Sequence, residues 1–277
     1  MKKTKIAICY DFDSTLSPIE MQAYGFFDAL KVERLDFWKK SDNESKTRIA
    51  DKTLVNMYMF LEEAKKNNIL LTKKQFEEYG KTVELFEGLD SWFDRINEYG
   101  NKMGVDVEHY IISSGIKEMI LGTSIAKYFK KIYACSYMYD DNGNAIWPAI
   151  AINYTNKTQF LYRINKGCLD EYDETINEIM DKDSRVVPFE NIIYIGDSFT
   201  DIPCMRLVMN KGGYTIGVYN PSGDNKKVKE LIRNNKINFI APADYSKGKT
   251  LELLIKEIIK NVKVKDTLKT ISKAQKT

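Results

Sequence analysis

One histidine, four cysteines and six prolines occur in 277 residues, and these shortages exclude whole classes of chemistry. A single histidine, His109, cannot support a multi-histidine zinc centre. A Ser-His-Asp triad would depend on that one residue, and no G-x-S-x-G accompanies the serines. His109 opens the apolar run His109-Tyr110-Ile111-Ile112, which points to a structural role. Acid–base work is therefore left to carboxylates. Cys9, Cys135, Cys168 and Cys204 have no C-x-x-C spacing and no histidine company. They read as reduced thiols of a cytoplasmic protein, with Cys9 in a core strand. No apolar run approaches ~18 residues, so neither a transmembrane helix nor a membrane partner is expected. Met1-Lys2-Lys3 looks like the start of a signal peptide, but Ile6-Ala7-Ile8-Cys9 is too short for its apolar region and runs straight into Asp11. A net charge of only +3 favours solvated surface charge over a nucleic-acid patch.

Two acidic elements stand out against this background. The run Ile6-Ala7-Ile8-Cys9-Tyr10 ends in Asp11-Phe12-Asp13-Ser14-Thr15. The run Asn191-Ile192-Ile193-Tyr194-Ile195 ends in Gly196-Asp197-Ser198-Phe199-Thr200-Asp201. Carboxylates held close disfavour one another's ionisation. A cation between them, or a proton shared for chemistry, is the usual offset. By chance, D-x-D-[ST] and G-D-x-x-x-D each arise in roughly one chain of this length in ten, and both together in about one in a hundred. That rarity favours one acidic, metal-binding, hydrolytic site over two acidic helix caps. Between the two lie Ser113-Ser114-Gly115, closing an apolar run, and Thr155-Asn156-Lys157-Thr158-Gln159-Phe160-Leu161, which reads as a helix start bearing a lysine.

In this order, D-x-D-[ST], serine at a strand end, lysine at a helix start and G-D-x-x-x-D, the chain resembles the haloacid dehalogenase (HAD) superfamily. Within it the chain most resembles the phosphoserine-phosphatase-like branch. The four motifs span residues 11 to 201. The resemblance implies an Mg²⁺-dependent phosphomonoesterase that works through an aspartyl-phosphate. Asp11 would be the nucleophile. Asp13 would be the general acid and then the base, which requires Asp11 ionised while Asp13 is protonated. Ser113 would bond a phosphoryl oxygen, and Lys157 would neutralise charge. Backbone N–H groups after the first strand and near Ser114 could donate as well. Asp11, the carbonyl of Asp13 and Asp197 would hold Mg²⁺, with Asp201 a rival to Asp197 or a support that orients Lys157. Ser114 rivals Ser113 as phosphate ligand, and Gly115 falls in the same loop. Lys166 rivals Lys157, but it precedes Gly167 like a helix-end cation.

The expected fold is α/β, a doubly wound parallel sheet of Rossmann-like type with an inserted all-helical cap. The core is assigned to residues 1–17 and 87–277 and the cap to 18–86, with hinges near Ser17-Pro18 and Phe86-Glu87-Gly88. Cap helices are expected from Ile19 to Leu30, Val32 to Lys40, Thr47 to Lys66 and Lys73 to Val83. Strands at 131–139 and 145–152 read as a hairpin around Asp140-Asp141-Asn142-Gly143-Asn144, a plain turn since the terminal Glu of an EF-hand is lacking. Helices are expected after Lys157. The lysine-rich end from Lys263 to Thr277 reads as a frayed polar tail.

The substrate is expected to be a small phosphorylated metabolite. By resemblance, Glu20 would read a substrate amine, and Arg34 or Arg48 a substrate carboxylate. Two features depart from a plain phosphoserine phosphatase: Ser198 and Thr200 stand where G-D-G-x-N-D is preferred, and the hairpin with Trp147 and Pro148 looks enlarged. Three rivals remain: a phosphotransferase of the same superfamily, a phospho-accepting signalling module, and a binding module without turnover. Asp13 and the long helical insert argue against the signalling module, since a general acid serves turnover. Monomer and homodimer stay open.

Overall fold

The computed structural model describes residues 3–275; Met1, Lys2, Lys276 and Thr277 lie outside the described residues. A seven-stranded sheet runs in the order β4-β3-β2-β1-β5-β6-β7. Its strands are β1 (Thr4–Tyr10), β2 (Val105–Ile116), β3 (Phe129–Tyr139), β4 (Ala145–Ile150), β5 (Ile192–Gly196), β6 (Tyr214–Tyr219) and β7 (Phe239–Pro242). All neighbours pair in parallel except β3 with β4, the antiparallel hairpin at one edge. β1 and β5 read as near-continuous apolar runs because both faces of a parallel sheet are covered by helices. Every residue of Ile6–Tyr10 and Ile192–Ile195 is wholly buried. β1 lies between β2 and β5, so the strand order reverses there. That switch point opens a crevice at the carboxyl ends of the strands.

The segment between β1 and α5 (Leu89–Lys102) holds only helices: a 3-10 turn at Met21–Ala23, then α1 (Phe26–Leu30), α2 (Arg34–Thr47), α3 (Lys52–Lys66) and α4 (Lys73–Lys81). Its interior is aromatic. Phe37 and Phe60 stack 4.5 Å apart, and Phe26, Phe27 and Trp38 pack on Phe60 at 5.1, 5.9 and 6.1 Å between ring centres. Phe76 of α4 stacks on Tyr137 of β3, which ties the helices to the sheet edge. The ends of the segment lie side by side, Phe86 N–H donating to the Leu16 carbonyl at 2.9 Å.

Three expectations change here. A single helix from Ile19 to Leu30 does not form, because Gly25 takes a left-handed φ of 82° and separates the short turn from α1. The break between the next two helices falls at 48–51 instead of 41–46. α2 runs on to Thr47, and the Asp51 carboxylate accepts the Leu54 N–H to start α3. The C-terminal tail is not frayed: α10 (Thr250–Ala274) is helical to Ala274. Lys269 and Lys273 pair with Glu190 and Asp183 across the surface, and Thr4 donates to Asp266.

After α7 (Lys157–Lys166) the chain is irregular up to β5, with 3-10 turns where helices were expected. Arg163 holds this stretch by donating to the carbonyls of Asp170, Glu171 and Asp173. Asp140 closes the β3–β4 turn, its Oδ1 accepting the N–H groups of Asn142 and Asn144. The remaining helices are α6 (Lys117–Gly122), α8 (Ile202–Asn210) and α9 (Lys226–Arg233). No helix of the described residues is long and apolar enough to cross a membrane.

Candidate active site

Three neighbouring strands deliver the acidic and hydroxyl side chains to one cavity of about 220 Å³. β1 ends in Asp11 and Asp13. They share a face because Phe12 between them points into the core, where it is wholly buried. Asp11 continues the β1–β5 ladder by donating its N–H to the Ile195 carbonyl at 2.9 Å. β2 brings Ser113 and Ser114, and β5 ends at Asp197. Lys157, the first residue of α7, reaches the cavity from the side. Thus Asp11, Asp13, Ser113, Ser114, Lys157 and Asp197 converge from positions up to 186 residues apart.

Lys157 is 1% exposed and bonds two carboxylates, Asp11 Oδ1 and Asp201 Oδ1, each at 2.9 Å. Burial works against its charge, but the two aspartates outweigh burial and hold its Nζ above the ordinary lysine value. Asp201, wholly buried at the start of α8, also accepts the Tyr194 hydroxyl at 2.8 Å and the Ser198 N–H at 3.4 Å. It lies beneath the cavity as a support for Lys157. Lys166, the rival lysine, points elsewhere and donates to the carbonyls of Ile176 and Glu178.

The three cavity carboxyls differ in their hold on a proton. Burial raises Asp11 to about 6, helped by Asp201 and opposed by Lys157. Burial and then the charge of Asp11 raise Asp13 to about 8. Burial, with Asp201 and Asp11, raises Asp197 to about 8. Lys157 pulls Asp11 toward ionisation, whereas burial and the charge of Asp11 push Asp13 toward its protonated form, a split between neighbouring carboxyls that suits a nucleophile beside an acid.

Asp11, Asp197 and Asp201 each offer an oxygen within 4.8 Å of the others. Lys157 is committed to Asp11 and Asp201, and among the described residues Asp197 has no ion-pair partner. A buried, all-oxygen donor set with more carboxylates than cations fits a hard divalent ion.

Further residues of the two acidic motifs also reach the site, and one residue outside them, Met21, has no local signature in the sequence. Ser14, with a left-handed φ of 57°, lines the cavity, as do Ser198 and Thr200. Met21 links the chain ends of β1 and β2. Its N–H donates to Asp13 Oδ1 at 2.9 Å, and its sulfur accepts the Ile116 N–H at 3.3 Å. Gly115 accommodates that thioether, since a Cβ there would fall 2.0 Å from Met21 Cε. Gly115 also donates its N–H to Ser113 Oγ at 3.0 Å, so it shapes the loop without lining the cavity. Glu20 does not line the cavity either. It is paired with Arg34 and Trp38 just above Asp13. Arg48 pairs with Glu44 on the exposed side of α2. His109 is structural, bonded to Tyr10 and Asn97 inside the core. All four cysteines are free and buried.

No family model matches the chain. A protein of Borreliella burgdorferi described only as uncharacterized is 31% identical over 281 residues, covering 92% of this chain and 96% of that protein. Among solved structures, a HAD-family hydrolase from Salmonella enterica serovar Typhi superposes with a TM-score of 0.58 at 18% identity, covering 91% of this chain and 70% of that one. A substrate-bound phosphoserine phosphatase superposes with a TM-score of 0.53 at 17% identity, covering 86% of this chain and 93% of that one.

Proposed function

We propose that this chain, which belongs to one family with the Borreliella burgdorferi protein and has the HAD fold of phosphoserine-phosphatase type, is an Mg²⁺-dependent phosphomonoesterase acting on a small phosphorylated metabolite. The observation that carries this reading is the Asp11–Asp13 pair at the end of β1. Both carboxyls face one cavity, one salt-bridged to Lys157 and the other disposed to keep its proton.

The chain's own residues account for each step. Asp11, ionised and oriented by Lys157, attacks the phosphorus in line with the leaving oxygen, forming an aspartyl-phosphate as the ester P–O bond breaks. Asp13, steadied by the Met21 N–H, gives its proton to that oxygen, so the product leaves as an alcohol. Asp13, now a carboxylate, takes a proton from water as the water's oxygen attacks phosphorus. The Asp11–phosphorus bond breaks and inorganic phosphate is released. Ser113 and Ser114 donate to the phosphoryl oxygens, and Lys157 balances the charge that develops on them. Asp11, the Asp13 carbonyl and Asp197 would hold Mg²⁺, which supplies further neutralisation of phosphoryl charge. Residues 18–86 act as a cap that shields the reaction from water, with hinges near Ser17-Pro18 and Phe86-Glu87-Gly88, whose chain segments are joined by the Phe86 N–H to Leu16 carbonyl bond.

The test is phosphate release from a panel of phosphorylated metabolites, with Mg²⁺ and with chelator, beside Asp11→Asn. The panel includes phosphoserine, nucleotides, sugar phosphates, phosphocholine and pyridoxal phosphate. Turnover that needs both Mg²⁺ and Asp11 is expected. A folded, Mg²⁺-binding protein that hydrolyses no ester would overturn this reading.

A further inference from the structure

Lys157 owes its place to the turn that precedes it, residues 153–156, and that turn is built on one side chain. Asn153 Oδ1 accepts the Thr155 N–H at 2.9 Å, the Thr155 hydroxyl at 2.6 Å and the Asn156 N–H at 3.1 Å. The Asn153 carbonyl accepts the Lys157 N–H at 3.1 Å, so α7 starts from the same residue. Asn156 returns the support: its Oδ1 accepts the Asn153 N–H and its amide donates to the Ala151 carbonyl, both at 2.8 Å. Three donors on Oδ1 fix which way the Asn153 amide points and leave its Nδ2 facing away from the turn.

There it meets the helical segment between β1 and α5. Nδ2 donates to Asp51 Oδ2 at 2.6 Å, across 102 residues of sequence. Asp51 is the N-cap of α3, and its Oδ1 is committed to the Leu54 N–H at 2.9 Å. One oxygen thus serves the helix and the other serves the turn that carries Lys157. A hydrogen bond from an amide to a carboxylate is charge-assisted and directional. Both sides of the contact are held in place. The Tyr137 hydroxyl donates to the Met57 carbonyl of α3 at 3.1 Å, and the Ala145 N–H donates to the Leu71 carbonyl at 2.7 Å. Behind the turn, the Ile152 N–H donates to Cys135 Sγ at 3.2 Å.

Resting on the phosphomonoesterase reading, we propose that Asp51 is a positioning residue for Lys157 and acts through Asn153. With Asp51 docked, the turn is fixed and Nζ lies between Asp11 and Asp201. Without it, the amide that organises the turn loses its outer partner, and Lys157 loses its register on Asp11. Lys157 orients the nucleophile and balances charge on the phosphoryl group, where a misplacement of about 1 Å costs on the order of 10²-fold.

The experiment exchanges the two side chains. Asp51→Asn still caps α3 through its amide oxygen, since asparagine and aspartate are equally good N-caps. Its amide nitrogen then faces Asn153 Nδ2, donor against donor. Asn153→Asp keeps one oxygen for Thr155 and Asn156 but sets its other oxygen against the Asp51 carboxylate. The double exchange, Asp51→Asn with Asn153→Asp, again places a donor before an acceptor, at unchanged net charge. Steady-state kinetics are measured on p-nitrophenyl phosphate and glycerol 3-phosphate, per folded molecule as read from urea unfolding of the same preparations. Each single exchange should lower kcat about ten- to a hundredfold with KM within about twofold. The loss should be equal on the two esters, because Lys157 acts at the phosphoryl group and not on the leaving oxygen. The double exchange should return kcat to within about threefold of the wild type. A wild-type kcat in Asp51→Asn would overturn the proposal, as would a loss confined to KM, a loss on one ester alone, or a double exchange no better than the singles. The wild type separates the two levels. If it hydrolyses p-nitrophenyl phosphate in an Asp11-dependent way and any of these results is found, only the role of Asp51 falls. If it hydrolyses no ester, the phosphomonoesterase reading falls and takes the role of Asp51 with it.

Discussion

His109 makes this fold sensitive to acid in a way that can be isolated. The ring is 2% exposed, stacked on Tyr10 and met edge-on by Phe93. Trp92 donates its indole N–H to the Tyr10 oxygen at 3.0 Å, which turns the Tyr10 hydrogen toward His109 Nδ1, also at 3.0 Å. Nδ1 is then an acceptor and Nε2–H donates to Asn97 Oδ1 at 3.0 Å, so the ring is neutral with both nitrogens used. Among the described residues no charged group bears on it, and burial alone lowers the imidazole to about 3. The unfolded chain titrates near 6.5. Below pH 6.5 the unfolded state therefore binds a proton that the folded state refuses, so stability falls as pH drops from about 6.5 toward 3. Between pH 7.5 and 4.5 the loss from this one residue is roughly 2–3 kcal/mol. The measurement is urea unfolding at a series of pH values for the wild type and for His109→Gln, whose amide can accept from Tyr10 and donate to Asn97. Contributions from the site aspartates are common to both proteins and cancel in the difference. The wild type should lose roughly 2–3 kcal/mol more than the variant over that interval. Parallel pH profiles, within about 0.5 kcal/mol, would refute the claim that a buried neutral imidazole drives the acid lability.

Three further outcomes are expected. Asp13→Asn should lower kcat by about 10²–10⁴ for alkyl phosphates and far less for p-nitrophenyl phosphate, whose leaving group needs no proton; equal losses on both would remove Asp13 from the acid role. Lys157→Met leaves Asp11 and Asp201 without their shared cation, so urea unfolding at pH 7.5 should show about 3–5 kcal/mol lost, with a smaller loss at pH 5, below the value of about 6 at which Asp11 takes up its proton. Gly88→Ala should destabilise by about 2 kcal/mol or more in the same assay, because φ is +84° and a Cβ would sit 2.3 Å from the Ser246 nitrogen.

The motifs of the candidate site were legible because each is local. A strand that must be apolar on both faces and then end in carboxylates writes itself as consecutive residues, at Ile6–Asp13 and again at Ile192–Asp197. The same holds for Ser113 after an apolar run and for Lys157 at the head of an amphipathic helix. Those patterns were enough to expect one acidic site in an α/β fold with a parallel sheet. The break between α2 and α3 was not legible, because it turns on an Asp51 cap and a left-handed Ile49 inside a segment with helical composition throughout.

By itself, then, the sequence determined the α/β class and the strand ends that carry Asp11, Asp13 and Asp197, because these follow from composition and short-range periodicity. Only the tertiary structure decided that Met21 clamps Asp13 and the Ile116 N–H together, that Lys157 divides itself between Asp11 and Asp201, and that Glu20 is spent on Arg34. These are contacts across 8, 95, 146, 44 and 14 residues, respectively. Such pairings leave no mark on neighbouring residues. They arise because burial in a shared crevice forces each charge or polar group to find a partner, and which partner is within reach is set by how the helices and strands pack.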